Sequence, residues 1–397
     1  MFSVSLCTSV SISMPLTAEI FNSVTQLPFN KWQNFVPETN LMHSFNYLKQ
    51  LEENQAGRIA FRYVLVEQNN ELVGVCYFQI VYFKGTQLSS YHAENAFTNT
   101  LKSLALPLLN MNLMVGGNLL MTGEKGMFFR KDLNSEAIAE AYLKTVNTIL
   151  KESKVSAFLM TDLYESDTEL KRNFLQSSFH PIYEEPDMIM HLKPEWSCFK
   201  DYLSTLSSKY RVRAKKCISM SKTLVRKNLS IEEISSLEDE IQTLYHNTIS
   251  KSQFNLIELQ KGFFTEQKKI YSERYMIFGY FLDEKLIGFN SLYCNINKGE
   301  VHYIGLDYEV NKEHSTYQRM LYDMVDCGIE RKFAQLHFGR TAPEIKSTVG
   351  AVPREVSGML KHKNGMVNSF IIKPLAAAVK PKNFVFRNPF HQVESNA

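Results

Sequence analysis

Phe338-Gly339-Arg340-Thr341-Ala342-Pro343-Glu344-Ile345-Lys346 brings a guanidinium, a carboxylate and an amine close together in sequence. The apolar run Phe333 to Phe338 predicts a buried strand. Gly339 would end it, where a missing side chain lets the backbone turn or a ligand come near. In open α/β sheets ligands bind just past such strand ends. Arg340, Thr341, Glu344 and Lys346 crowd just past that end, beside Gly339, and are the first candidate site residues.

A second stretch, Lys209-Tyr210-Arg211-Val212-Arg213-Ala214-Lys215-Lys216, continues to Lys222, Arg226 and Lys227, eight basic residues in nineteen with no acidic one. Arg211 and Lys215 lie four apart and share a helix face, where like charges repel by a few tenths of a kcal/mol at about that spacing. An anion would relieve that repulsion, and phosphate suits the arginine fork. A third stretch, Val301-His302-Tyr303-Ile304-Gly305-Leu306-Asp307-Tyr308, precedes a helix expected to begin near Ser315 or Thr316. A strand feeding a helix start offers free N–H groups to an anion. Asp307 closes this stretch as a further candidate residue. There is no HExxH, CxxC or Ser/His/Asp set, so no metal site is expected.

The elements that would position these groups follow from periodicity. Leu41 to Glu53 predicts a helix with Asn40 as its cap, followed by a hairpin, Phe61–Val66 and Leu72–Phe78, turning at Asn69-Asn70. A long amphipathic helix opens at Ser135, a strand covers Val155–Met160, a helix Asp167–Ser177, and Met188–Leu192 closes the unit. The glycines at 116, 117, 123 and 126 read as hairpin turns. Between Lys193 and Glu273 helices are expected over Glu232–Tyr245 and Leu256–Tyr271.

The second half repeats the first. Leu72-Val73-Gly74-Val75 and Leu286-Ile287-Gly288-Phe289 are 214 residues apart; Lys154–Leu163 and Lys332–Thr341 are 178 apart. The difference of 36 places an insertion in the first copy within Lys84–Phe129. Such internal similarity predicts two copies of one α/β unit.

The pieces together resemble the tandem acyl-CoA N-acyltransferase-like proteins, the group that contains the Fem-type aminoacyl transferases and related acetyltransferase domains. The resemblance rests on Lys209–Lys216, Leu286-Ile287-Gly288, Tyr303-Ile304-Gly305-Leu306-Asp307, and Phe338–Lys346 with Gly350-Ala351. It implies an α/β fold, an α+β mixed sheet in each of two GNAT-like domains in tandem: 1–190, a degenerate copy; 191–373, the second copy with its basic helix; and 374–397, a loose tail. It also implies transfer of an acyl group from acyl-CoA to an amine on a metabolite, lipid or cell-wall precursor. In that family the strand Tyr303, Ile304, Gly305 would meet the pantetheine arm, and His314, Ser315 and Thr316 the pyrophosphate. Arg211, Arg213 and Lys215 would bind substrate phosphate, with Gly339, Arg340 and Thr341 also meeting substrate. The oxyanion would meet Lys346 or a backbone N–H near Gly305, Arg340 and Lys346 would stabilise charge or anchor substrate, and the amine's proton would go to Glu344, Asp307 or water. The family's pyrophosphate signature, Arg/Gln-x-x-Gly-x-Gly/Ala, is not present in Asn311–Thr316, which has no glycine. That keeps aminoacyl-tRNA open as the donor, with tRNA and a peripheral membrane as further partners, and a non-catalytic binding protein as a third reading.

Composition sets the outer bounds. The 397 residues suffice for two or three domains, and a net charge of +3 points to no polyanion partner by itself. Six scattered cysteines and an N-terminus without a basic, long-apolar leader lead to an expectation of a cytoplasmic protein with reduced thiols.

Overall fold

The computed structural model describes residues 16–88, 110–152, 154–251, 256–379 and 383–391. The first copy contributes β1 (Thr17–Phe21), β2 (Ile59–Gln68), β3 (Glu71–Lys84), β4 (Asn110–Gly116), β5 (Met127–Phe129), β6 (Ala157–Tyr164), β7 (His180–Tyr183) and β8 (Asp187–His191). Its helices are α1 (Phe29–Phe35), α2 (Phe45–Asn54), α3 (Ser135–Glu152) and α4 (Thr168–Gln176). The second contributes β9 (Val225–Asn228), β10 (Tyr275–Leu282), β11 (Lys285–Asn295), β12 (Lys298–Leu306), β13 (Gln335–His337), β14 (Val352–Arg354) and β15 (Val356–His362). Its helices are α5 (Phe199–Thr205), α6 (Ser208–Met220), α7 (Ile231–Ser236), α8 (Glu238–Ile249), α9 (Phe263–Tyr271), α10 (Tyr308–His314), α11 (Thr316–Glu330) and α12 (Pro343–Ser347). A helical stretch, Gly365–Val367 through Lys373–Ala378, ends the fold.

The strands form two mixed sheets of matching order. One runs β1-β2-β3-β4-β6-β15-β7 with β5 on β3; the other runs β9-β10-β11-β12-β13-β8-β14. In both, the fourth and fifth strands are parallel and their other neighbours antiparallel. The expected offsets recur in the strands: β3 and β11 begin at Glu71 and Lys285, 214 apart, and β6 and β13 at Ala157 and Gln335, 178 apart. Both hairpins turn through two residues of positive φ, Asn69-Asn70 (55° and 65°) and Asp283-Glu284 (47° and 67°). Asn and Asp tolerate that backbone, and its twist matches the strands it joins.

The sixth place in each sheet is filled by the other copy. β8, the last strand of the first copy, lies between β13 and β14; β15, from the end of the second, lies between β6 and β7. The expected boundary at 190/191 thus falls inside β8, and neither copy completes its sheet alone. The two copies also share a core: Trp32, Tyr47, Tyr63 and Tyr77 belong to the same buried cluster as Phe264, Phe289 and Tyr293.

Other expectations need correction. Ser44, not Asn40, caps α2, accepting from Tyr47 N. Glu232–Tyr245 is broken at Leu237 into α7 and α8, and only Phe263–Tyr271 of the next segment is helical. Part of the expected insertion, residues 89–109, lies outside the described residues. The tail is packed where described. Ser207 N donates to Pro389 O at 2.8 Å and His391 N to Thr205 O at 3.2 Å, while Phe390 sits against Trp196. Gly350 (φ +104°) makes room for it, since a Cβ there would stand 2.5 Å from the Phe390 ring. Apolar anchoring outweighs the Pro, Lys and Asn content from which looseness was read. Among the described residues, no helix is long and apolar enough to cross a membrane.

Candidate functional site

Past β13 the chain leaves its strand through three residues of positive φ, Gly339 (68°), Thr341 (65°) and Ala342 (48°). Two of them carry a Cβ, so surrounding contacts must hold this backbone in place. Lys346 is one of those contacts. Its Nζ donates to the carbonyls of Phe338 at 2.7 Å, Gly339 at 3.1 Å and Arg340 at 2.5 Å. The residue is only 5% exposed. Burial pulls its ammonium down to about 7, against the pull of Asp187 and Glu185. Three carbonyls take up the three N–H groups of an ammonium, so in this structure Lys346 ties a loop together and has no donor left for an oxyanion.

Arg340 crosses to the other copy. Its guanidinium donates to both carboxylate oxygens of Asp162 at 3.0 Å and lies 3.3 Å from Glu184. The sequence offset gives 340 minus 162, or 178: these are equivalent positions of the repeat, and equivalent positions meet beside a two-fold axis. Asp162 has φ +60° and accepts from Gly123 N; its own N–H donates to Glu184 at 2.9 Å. Burial pushes both carboxyls up, with Arg340 pulling them back. Burial likewise works against the guanidinium's charge, but Asp162 and Glu184 more than offset that and keep it charged. Beside this group, His337 Nδ1 lies 3.0 Å from Asp187, which also accepts from the Tyr164 hydroxyl at 3.4 Å. Burial would raise the Asp187 carboxyl, but His337, Lys298 and Lys346 hold it below the usual range. Thr341 N donates to Glu185 at 3.1 Å.

The turn Gly117–Gly126 delivers a further carboxyl. Asn118 N donates to Glu124 O at 2.9 Å, and Tyr77 N to Gly126 O at 2.8 Å. Gly126 has φ +65°, and a Cβ there would stand 2.8 Å from Tyr77 O. The turn sets Glu124 close to the second copy, within reach of the charge of Glu300. The Glu124 side chain is 20% exposed and lies 3.5 Å from His43 Nδ1. Burial, with the negative charge of Glu300, pushes the Glu124 carboxyl up to about 8. Glu300 is paired with Lys298 at 2.6 Å. Burial keeps His43 neutral, lowering it to about 3. From the second copy, His302 Nε2 lies 3.0 Å from Leu120 O and fixes the same turn. A carboxyl whose affinity for a proton burial has raised is suited to accept one from a nucleophile.

The basic helix and the strand-exit loop meet elsewhere, around a cleft of about 540 Å³. Lys209, Tyr210 and Arg213 of α6 form one wall, Ala342–Ile345 and Thr348 another, and Phe384 and Arg387 the third. Arg387 pairs with Glu344 at 2.7 Å. Of the residues expected from sequence, Arg213 and Glu344 come together here. Arg211 and Lys215 flank the buried face of α6, which is Tyr210, Ala214 and Cys217.

The expected donor positions pack in part against protein, Tyr303, Ile304, His314 and Ser315 staying half-buried. Tyr303 packs edge-on to Tyr245 and Phe264, and a Cβ on Gly305 would stand 2.8 Å from the α8 backbone at Leu244. Gly305 therefore admits a helix. Ile304 pairs with Asn290 of β11. Asp307 caps α10, accepting from Glu309 N at 3.0 Å. At the start of α11, Asn311 accepts from Tyr317 N at 2.8 Å, Ser315 O accepts from Cys217 of α6, and Thr316 is buried. His314 meets Thr223.

Asp162, Glu184, Asp187 and Glu124 were missed in the sequence. The 178-residue offset marks Asp162 as the equivalent of Arg340, but not that the two meet across the copies. For Glu124 the turn was legible, but a turn does not reveal which surface it faces.

A family model, FemAB-like, described as peptidoglycan biosynthesis/recognition, matches residues 23–371. No curated protein matches the sequence. Among solved structures, FemX superposes with a TM-score of 0.55 at 13% identity, covering 89% of this chain and 99% of that one. A tandem GNAT protein from the clavulanic acid biosynthesis pathway gives 0.51 at 8% identity, covering 88% and 99%. At these identities the likeness concerns the fold, two mixed sheets with helices in tandem.

Proposed function

Because this chain belongs to the FemAB-like family, we propose that it is an N-acyltransferase, moving an acyl or aminoacyl group from a carrier to the amine of a cell-wall precursor or lipid-linked acceptor. The observation that carries the reading is Glu124, a largely buried carboxyl 3.5 Å from His43 of its own copy, which burial and the charge of Glu300 from the second copy push up. The amine nitrogen attacks the carrier's thioester or ester carbon. The new C–N bond forms as the C–S or C–O bond breaks, the amine's proton goes to Glu124, and the carrier leaves as a thiol or hydroxyl after taking up a proton. Holding both substrates beside this carboxyl supplies much of the acceleration. Glu124 takes the base role expected of Glu344 and Asp307, since Glu344 is paired with Arg387 and Asp307 caps a helix. Lys346 is a positioning residue.

Either donor carries phosphate. Asn311 already takes the Tyr317 N–H at the start of α11, which favours phosphate recognition at the cleft of Lys209, Arg213 and Arg387. Aminoacyl-tRNA, whose contacts follow a backbone, fits that cleft at least as well as acyl-CoA.

Thermal unfolding with CoA, acetyl-CoA, long-chain acyl-CoA and bulk tRNA tests this. A ligand at about 100 times its Kd stabilises by about 2.7 kcal/mol, a shift of a few degrees. A shift with one class identifies the donor, and Glu124→Gln should then bind it normally but transfer poorly. No shift with any donor would count against an acyltransferase.

A further inference from the structure

The closing helical stretch has a face that acyl transfer leaves unused. It runs through Gly365–Val367, a π-turn at Asn368–Ile372, and Lys373–Ala378. Burial along it repeats every four residues: Val367-Asn368, Ile371-Ile372 and Leu375-Ala376 face protein, while Met366, Phe370 and Lys373-Pro374 face outward. In a plain α-helix a four-residue repeat drifts by about 40° per step, at 3.6 residues per turn. The wider π-turn takes up that drift and keeps the outward side chains in one row.

On that row Phe370 is 80% exposed and Met366 71%. One turn apart, they are neighbours. A lone exposed apolar residue is ordinary, but an aromatic and a thioether side by side at this exposure form a small protruding apolar ridge. The charge around it is one-sided. From Val356 to Val393 the sequence has no Asp or Glu and six lysines or arginines. Lys363 and Lys373 are exposed at the two ends of the ridge. β7 and β15, on which the stretch packs, contain no acidic residue either.

We propose that this ridge docks the protein on an anionic lipid bilayer. Phe370 and Met366 enter the headgroup boundary, and Lys363 and Lys373 meet lipid phosphates. A second copy of the chain fits the face less well, because two-fold pairing would set the same lysines against each other. The proposal does not depend on the transfer reaction.

Co-sedimentation of the full chain with phosphatidylcholine vesicles, with and without phosphatidylglycerol, tests it. The wild type should pellet with the phosphatidylglycerol vesicles and release as salt screens the lysines. Phe370→Glu, Met366→Glu and the pair Lys363→Glu/Lys373→Glu should each weaken binding about tenfold or more. These sites are exposed, and unchanged circular dichroism would show that the variants fold. Wild-type binding by Phe370→Glu and Met366→Glu would overturn the proposal. So would loss of binding only on charge reversal of Lys215 and Lys216 in α6, which would place the contact on the basic helix. Concentration-dependent dimerisation abolished by Phe370→Glu, without vesicle binding, would show that the ridge joins two copies instead.

Discussion

Replacing Glu124 by Gln should make the protein more resistant to unfolding, by an amount that grows with pH. In the folded chain the carboxyl titrates at about 8 instead of the ordinary 4.5, because burial and Glu300 penalise its charge. Between those values the unfolded chain has released a proton that the folded chain keeps. Stability must therefore fall as pH rises through this window, by up to about 1.4 kcal/mol per unit. By pH 7 the cost to the wild type approaches about 3 kcal/mol, and beyond about 8 it levels off. The Glu124 side chain is 20% exposed, so the measured figure should lie below that bound. Gln has the same shape and does not titrate. Urea unfolding of both proteins at several pH values between 5 and 9, at fixed ionic strength, gives the difference. A difference that stays flat across the range would refute the assignment of a raised carboxyl. A difference that shrinks with pH would mean that the site stabilises the carboxylate.

Arg340→Met should cost about 3–5 kcal/mol at neutral pH, because it leaves Asp162 and Glu184 buried without their partner. Mild acid should recover part of that loss, and a denaturant midpoint unchanged from wild type would show that the pair is not needed. Lys346→Met keeps the apolar stem but frees three carbonyls, and should cost about 2–3 kcal/mol. Because burial lowers this lysine's pKa in the fold to about 7, its own contribution makes wild-type stability rise with pH above 7, and the variant should lack that rise. A fully stable Lys346→Met without transfer activity would instead return Lys346 to chemistry. Arg213→Ala and Arg387→Ala should each reduce the thermal shift given by the donor, and an undiminished shift would move the phosphate site away from the α6 cleft.

The sequence alone determined the local and repeated features. Asn69-Asn70 and Asp283-Glu284 set two hairpin turns because few residues accept positive φ. The offsets of 214 and 178 residues marked a duplicated unit, and the alternation of apolar and polar residues placed α3 and α11. The basic face of α6 was legible because charge at helical spacing needs no partner to be read. Strand exchange was not, because Met188–Leu192 has the same pattern whichever sheet accepts it. Which edge it reaches is set by contacts between residues about 150 positions apart, such as His337 with Asp187. The site was hidden for the same reason. Lys346 reads as a free amine until three carbonyls surround it, and Glu124 reads as a solvated turn residue until the second copy closes over it. A side chain's chemistry depends on its solvent and its neighbours, and in this chain both come from the other half of the molecule.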